Sequence, residues 1–597
     1  MSAVRRGLLQ LGTLMWLAST LACVDEPGDF GARCDQSEPC AAGYYCGPEG
    51  RCLPGVDTDA GEADAGAVDA ASSDLGGGDA AVADALMPDA LTLDAAQADA
   101  SSPDALVSDA LVSDALLSDQ PLLDVVQPDL GRSDAALPDT PVADAIACAD
   151  EDGDGFFNQP GCGSALDCND LDFFSNPDAL DIPGNGADED CRDGDLTVTE
   201  ENGVFVNYQA PGGSGSRISP YSDIDTAVSQ VGVKKNVFIA SGDYTAVTIS
   251  ADVNLLGGFD PGTWQRGGSA AATHIQATGG ADYSINNQSG FKVGLDGLTI
   301  KANYGGPTTT IAVISGGELR ISDCYIEGGR GSNSKAVIVS SGGTLLAVRA
   351  SHLVGCTGGT SNPCTAIFST DGTVVVVDSV IEGGQSQTGS ATAVNISSGN
   401  DLAVLVNNHI VAGSSGHTST ATALYGWEPF TALNNTFSGG DGTEIELVGL
   451  RTWQPFVLMN NAFLRGAPTT RTWAVKLDQA DIDLILDHNG SFIPEGQDCA
   501  GVNESNNCLT APDFSCATWG IDCEAQGGFL YSVSAPLVES DGVHLSPGSV
   551  LEDQGEDPSS RFAAEAWITL LAAHDLDGDS RPQGSGWDVG ADERRVP

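Results

Sequence analysis

The chain has 597 residues, and 83 Asp+Glu against 24 Lys+Arg give a formal net charge of −59. Such a surface repels polyphosphate, which excludes nucleic acid as a partner. With 75 glycines and only 6% aromatic residues, the composition is too uneven for one uniform globular body, so the chain divides into separate regions.

Arg5 and Arg6 precede an apolar run from Leu8 to Leu17, followed by the small residues up to Ala22. Residues 1–22 have the layout of a secretory signal, and the run is too short to span a bilayer. Ser19-Thr20-Leu21-Ala22-Cys23 resembles a bacterial lipobox, which implies lipidation of Cys23 and a lipid anchor in the membrane. Thr20 stands where that box usually has Leu, so simple cleavage near Ala22 is the alternative. Val24 rather than Asp after Cys23 implies, by the same resemblance, an outer-membrane lipoprotein exposed at the cell surface.

The sixteen cysteines agree with export. In residues 23–52, Cys34, Cys40, Cys46 and Cys52 are evenly spaced in a segment with almost no apolar core, which predicts a knot held by two disulfides. It resembles the small Cys-rich motif that follows the signal in many secreted bacterial proteins. Cys148, Cys162, Cys168 and Cys191 form a second set. Cys356/Cys364, Cys499/Cys508 and Cys516/Cys523 are close enough in sequence to pair, leaving Cys324 alone on a predicted strand. Neither set of four has the short CxxC knuckles of zinc sites.

Residues 53–147 are a low-complexity linker. An Asp recurs at every fifth position from Asp59 to Asp144, eighteen in all, and thirteen of them precede Ala. A five-residue step turns about 140° per repeat on a helix, so no apolar face forms. Self-repulsion predicts an extended, disordered spacer.

Residues 148–195 carry fourteen acidic residues against Arg192. Asp150, Asp152 and Asp154 fall at the first, third and fifth places of a Ca²⁺ loop, with Gly155 at the sixth, but Gly161 at the twelfth rules out an EF-hand. Hard carboxylates without His favour Ca²⁺ over copper or zinc. The series DxDGDG, DCND, Pro-Asp-Ala and Asn-Gly-Ala-Asp-Glu-Asp-Cys is similar to the metal-binding motif of the MopE copper-protein family. Carried over residue by residue, the resemblance implies Asp150, Asp152, Asp154, Asp167, Asn169, Asp170, Asp188, Glu189 and Asp190 as metal ligands. It departs from that pattern at Asp178 and Arg192. Copper stays open as the metal, and a stapled acidic knot without any metal is the competing reading.

Residues 196–597 read as a mainly β, right-handed parallel β-helix solenoid. A helix beginning at Ser219-Pro220 places Ile224, Ala227, Val228 and Val231 on one stripe. Its sequel, VFIASGDY and LLGGFDPGTW, resembles the N-terminal cap and first coils of bacterial pectin-lyase-like proteins. The apolar marks Ile300, Ile326, Leu353, Ile381, Ile410, Phe437, Phe463 and Phe492 recur about every 27 residues, in the solenoid range. Three positions before the marks stand Asp323, Ala350, Asp378, Asn407, Asn434, Asn460 and Asn489, which predicts a side-chain ladder at a repeated corner. Val374-Val375-Val376-Val377 and similar runs are strands buried by stacking. Asp575-Leu576-Asp577-Gly578-Asp579 and Trp587-Asp588-Val589-Gly590-Ala591-Asp592-Glu593 are similar to the closing signature of the same proteins; the three aspartates Asp575, Asp577 and Asp579 could hold Ca²⁺, and the reading preferred over it is a polar cap shielding the last coil.

No catalytic residue emerges. Glu327 and Glu382 lie two coils apart, about 10 Å at strand spacing, and His352, His409, His417 and His488 suggest no metal set. Tyr425, Trp427, Arg451, Trp453, Arg471 and Trp473 are candidate ligand-binding residues, because rings beside Arg hold sugar faces or peptides. The alternative is that the Trp residues plug a loop onto the coil. These features predict adhesion to, or binding of, an extracellular polysaccharide or surface protein. The rival is a polysaccharide lyase or glycoside hydrolase with a divergent site.

Overall fold

The computed structural model describes residues 148–595 with gaps at 267–272, 279–282, 288–289, 303–308, 315–316, 331–333, 341–344, 358–362, 398, 417–418, 452–454, 478–483, 493–500, 503–507, 510–522, 532–537, 540 and 564, plus the strands Tyr44–Cys46 and Cys52–Pro54. Residues 1–22 read as a signal, Cys23, Cys34, Cys40, the Asp/Ala tract, Trp453, Cys499 and Cys516 lie outside the described residues. The two short strands pair antiparallel and set Cys46 opposite Cys52.

Residues 203–531 form a parallel β-solenoid with three faces. In one coil, Leu345–Arg349 lies on face A, His352–Val354 on face B and Cys364–Ser369 on face C. Each pairs in parallel with its counterpart one coil on: Gly372–Val377, Val380–Glu382 and Ala391–Ile396. Faces A and B belong to a 21-stranded sheet and face C to a nine-stranded one. At the N-terminal end the helix is Ile224–Gln230, shorter than the Ser219-Pro220 start predicted. Asp223 caps it by accepting from the Thr226 N–H at 2.7 Å, and Ile224, Ala227 and Val228 seal the first coil.

The predicted marks stack in register through Ile300, Ile326, Leu353, Ile381, Ile410, Phe437 and Phe463, all buried inside the coil. The last mark slips by one. Phe463 pairs with Ser491, while Phe492 pairs with Leu464 and packs outside the coil with Leu545, Leu551 and Val589. A one-residue slip reverses a strand's faces, and the outer apolar cluster makes that position suitable for Phe.

The corner between faces A and B carries the same slip. Asp323, Ala350, Asp378, Asn407, Asn434, Asn460 and His488 all have positive φ, between 45° and 56°. Asn and Asp tolerate that conformation best among residues with a Cβ. The hydrogen-bonded ladder is mainly the next column inward. Asn408 Nδ2 donates to Asn435 Oδ1 at 3.0 Å, Asn435 to Asn461 at 3.1 Å and Asn461 to Asn489 at 3.0 Å. Ser379, Ser351 and Cys324 continue this column toward the N-terminus, and Cys324 is buried as a free thiol.

Face A is apolar on both sides, which explains the unbroken valine run. Val374 and Val376 enter the coil, whereas Val375 and Val377 join Val404, Val406, Leu433 and Met459 in an outer cluster. Two segments cover it. Phe173 of the acidic module stacks on Trp567 of the C-terminal helix Ala566–Leu571, with centroids 5.6 Å apart, and Trp587 joins them. Farther N-terminal, Leu180 of the module packs with Phe205, Phe238, Leu256 and Phe259.

Candidate functional site

Within residues 148–195, disulfides Cys148–Cys162 and Cys168–Cys191 hold loops with little regular structure. Cys356–Cys364 also forms, as its spacing suggested. The module is fixed to face A by more than apolar contact. Lys292 pairs with Asp178 and, at 2.9 Å, with Glu318, and the Arg349 guanidinium lies over the Phe174 ring. Gly294 lets the module approach closely, since a Cβ there would meet Leu180 Cδ1 at 2.5 Å and push that side chain aside.

The carboxylates follow one pattern. Asp152, Asp154, Asp167 and Asp170 each spend Oδ1 on a nearby backbone N–H, those of Asp154, Phe156, Asn169 and Glu151, at 2.8–3.2 Å. Asp150 uses both oxygens on Gly153 and Gly155. The turn needs φ of +76° and +90° at those glycines. The remaining Oδ2 of Asp152, Asp154, Asp167 and Asp170 is buried without a hydrogen-bond partner. A buried carboxylate oxygen left so is costly, and the titration behaviour reflects it. Burial, then the charges of Asp154, Asp167 and Asp150, push Asp152 up to about 8. Burial, then Asp167 and Asp150, push Asp154 to about 6, and burial also raises Asp167.

Arg320 of the solenoid is buried, with Nε and Nη1 lacking hydrogen-bond partners; its Nη2 donates to Asn176 Oδ1 of the module at 3.4 Å and lies 3.9 Å from Glu318, and its charge also acts on Asp154 and Asp152. The donor set is oxygen only, and its orphaned oxygens fit a hard divalent cation.

The predicted ligands divide in two. Asp150, Asp152, Asp154, Asp167 and Asp170 supply oxygens within 4.8 Å of one another in overlapping groups. Asn169 is exposed and contributes its backbone N–H to Asp167. Asp188, Glu189 and Asp190 instead shape a second loop. Asp188 and Asp190 accept from the Arg192 N–H, and Glu189 accepts from Ile182 N–H and Asn185 Nδ2. There burial, then Asp190 and Glu189, push Asp181 up to about 8. Sequence reasoning missed Asp181 and Arg320. Asp181 lies inside the motif and was open to notice, whereas nothing in the sequence links Arg320 to a loop so far upstream.

The aromatic candidates gather on the outer side of face C. Tyr425, Gly449 and Lys476 are register partners on successive coils, as are Thr422, Glu446 and Trp473. The Arg451 guanidinium sits 4.6 Å from the Tyr425 ring centroid and bonds Glu446 at 2.8 Å, while Arg471 lies 5.0 Å from the Trp473 ring. Lys476 also pairs with Glu446. Gly449 leaves a notch, since a Cβ there would come within 3.0 Å of Glu446 Oε2. Trp427 is 39% exposed, but Trp473 is buried, as a plug would be.

On face B, His352 and His409 stand on the strands His352–Val354 and His409–Val411. His352 Nε2 reaches Glu382 Oε1 at 2.9 Å, and Thr357 and Lys301 engage Glu327. Against burial, which would raise it, the His352 hydrogen bond and charge hold the Glu382 carboxyl below its ordinary value. In the closing segment, Asp575 accepts from Asp577 and Asp579 N–H, Asp577 pairs with His544, and Asp579 pairs with Arg595. Each of the three aspartates thus has protein partners, as a polar cap requires. No family model matches this chain, and no curated protein matches it in sequence.

Proposed function

We propose that this protein is an exported, lipid-anchored solenoid that works by binding and not by turnover, with its acidic module ordered by Ca²⁺ and face C contacting extracellular polysaccharide or a surface protein. The observation that carries the reading is the set of four buried carboxylate oxygens, on Asp152, Asp154, Asp167 and Asp170, that lack partners. Bound cation would supply the missing charge, and the loop turns made by each Oδ1 would hold the other oxygen toward it. The likeness of this module to the MopE-type motif supports metal binding. The absence of His and of free sulfur near these oxygens favours Ca²⁺ over copper.

The pectin-lyase-like resemblance of the coils supports a role on glycans. On face C, rings beside Arg and Glu over the Gly449 notch suit stacking on sugar faces and hydrogen bonding to hydroxyls. The second reading, a lyase or hydrolase, draws on Glu327, His352 and Glu382 sharing the outward side of face B.

The test passes the full chain, with Ca²⁺ and with EDTA, over immobilised acidic and neutral polysaccharides and assays the eluate for unsaturated or reducing ends. Retention without product supports binding, and product release replaces it with the enzyme.

A further inference from the structure

We infer that the acidic module holds two divalent cations bridged by Asp152; this rests on the cation-binding reading above and adds its stoichiometry and wiring. Among the described residues, the carboxylate oxygens of this cluster close enough to share an ion include two overlapping groups, Asp150 with Asp152 and Asp170, and Asp152 with Asp154 and Asp167. Asp152 is the member common to both, and it is completely buried.

Each group contains its own orphan besides Asp152. Asp170 Oδ2 in one and Asp167 Oδ2 in the other are buried and without partners, on residues only 3% and 4% exposed. A single ion in either group would satisfy that group's orphan and leave the other buried and charged.

Charge points the same way. Arg320 is shared with Glu318, 3.9 Å away, so it cannot by itself balance the five clustered carboxylates. Two divalent ions would compensate that cluster more fully than one. Burial enlarges the difference, because uncompensated charge is strongly disfavoured in a low-dielectric site. A carboxylate has about four lone-pair sites, so Asp152 can keep the Asp154 N–H on Oδ1 and still bridge two ions, and it is the residue placed to do so. The ions are of the large, hard, oxygen-seeking class typified by Ca²⁺, since flexible carboxylate loops suit that geometry better than the strict octahedron of Mg²⁺.

The experiment titrates CaCl₂ into the full, oxidised, EDTA-stripped protein at about 0.15 M KCl by calorimetry. Tb³⁺ emission sensitised by Trp567, whose ring lies 3.9 Å from a Cβ built on Gly153, gives a second readout. Two ions per chain are expected at micromolar to submillimolar concentrations. Asp170→Asn and Asp154→Asn should each reduce this to one, and Asp152→Asn should remove both from that range. Circular dichroism and melting of each variant identify any that fail to fold, and the wild-type stoichiometry stands without them.

One ion in the wild type, lost in Asp152→Asn, overturns the bridged pair while leaving cation binding intact. No binding at all overturns both. Stoichiometry unchanged in Asp152→Asn places the ions elsewhere, such as on the Asp/Ala tract, and also overturns the pair.

Discussion

Two buried polar clusters in this molecule differ in one chemical respect. The corner column Asn408, Asn435, Asn461 and Asn489 is built from amides, and the module cluster Asp152, Asp154, Asp167 and Asp170 from carboxylates. An amide donates and accepts, so a stack of them closes on itself: each Oδ1 from Asn435 on accepts the backbone N–H of the column residue one coil before, and each Nδ2 finds a carbonyl. A carboxylate only accepts, so four of them together leave an oxygen each with nothing to bond. The amide column of the solenoid corner therefore closes on itself, whereas the module leaves four carboxylate oxygens without hydrogen-bond partners.

The largest break in that comparison is Asn435→Leu. Asn435 accepts from Asn408 N–H and Nδ2 and donates to Leu405 O, Leu433 O and Asn461 Oδ1. Leu would orphan several buried groups at roughly 1–3 kcal/mol each, so the melting temperature should fall steeply. Asn434→Leu is the control one residue away. Its amide makes one long bond, to Asn407 at 3.4 Å, and the main loss is a branched residue at φ +55°, about 1–2 kcal/mol. If Asn434→Leu proves worse than Asn435→Leu in thermal unfolding, the ladder is the outer column after all.

Cation removal should come next in size. Free Ca²⁺ at about 100 times its Kd stabilises a folded state by about 2.7 kcal/mol. EDTA should therefore lower the transition and expose Trp567, which Phe173 covers. Trp fluorescence followed through a chelator titration measures this. An emission maximum indifferent to EDTA, in protein shown to bind Ca²⁺, would mean that the module docks independently of its ion.

A smaller effect is expected from pH at the closing segment. His544 bonds Asp541 through Nδ1 and Asp577 through Nε2, both at 2.6 Å. Burial would lower its pKa, but those two carboxylates hold it up at about 9. Because the folded value lies above the ordinary 6.5, the stabilisation is complete below pH of about 6.5 and is lost as pH rises through about 9. Asp575, pushed by burial to about 7, adds a penalty in the same direction. Melting temperature should thus decline from pH 6.5 to 9, and His544→Gln should flatten that slope. A wild-type profile flat across this window removes the ion-pair account of the cap.

Much of this architecture could be read in advance, and its failures share a cause. The repeat gave the inward column from Ile300 to Phe463, because a period of coil length is set by stacking alone. It misplaced Phe492 and Asn489 by one residue because the outer cluster around Leu545 and Val589 lies far along the chain. The valine run at Val374–Val377 announced burial on both sides, but not that Phe173 and Trp567 supply the cover. In the module, motif spacing found the five clustered carboxylates together with three that belong to a separate loop. It could not show Arg320, since a countercharge brought by docking leaves no mark on local spacing. His352 and Glu382 were named from the sequence but their pairing was not, because they are diagonal neighbours on adjacent coils.

The smallest expected effect on stability is Trp427→Ala, and it separates surface from scaffold. Trp427 is partly exposed and touches Tyr425 at 6.1 Å between centroids, while its backbone N–H holds the coil by donating to Ile396 O. Alanine keeps that backbone bond and removes only the ring, so melting should shift by no more than a few degrees. If face C binds glycan, the ring and the Tyr425–Arg451 pair beside it supply the stacking surface, and retention on the immobilised polysaccharide should drop severalfold. Trp473→Ala is the opposite case: its ring is buried beneath Arg471 and Lys476, so it should cost stability first. Retention unchanged in Trp427→Ala, with binding lost only in variants that also melt early, would move the contact surface off face C.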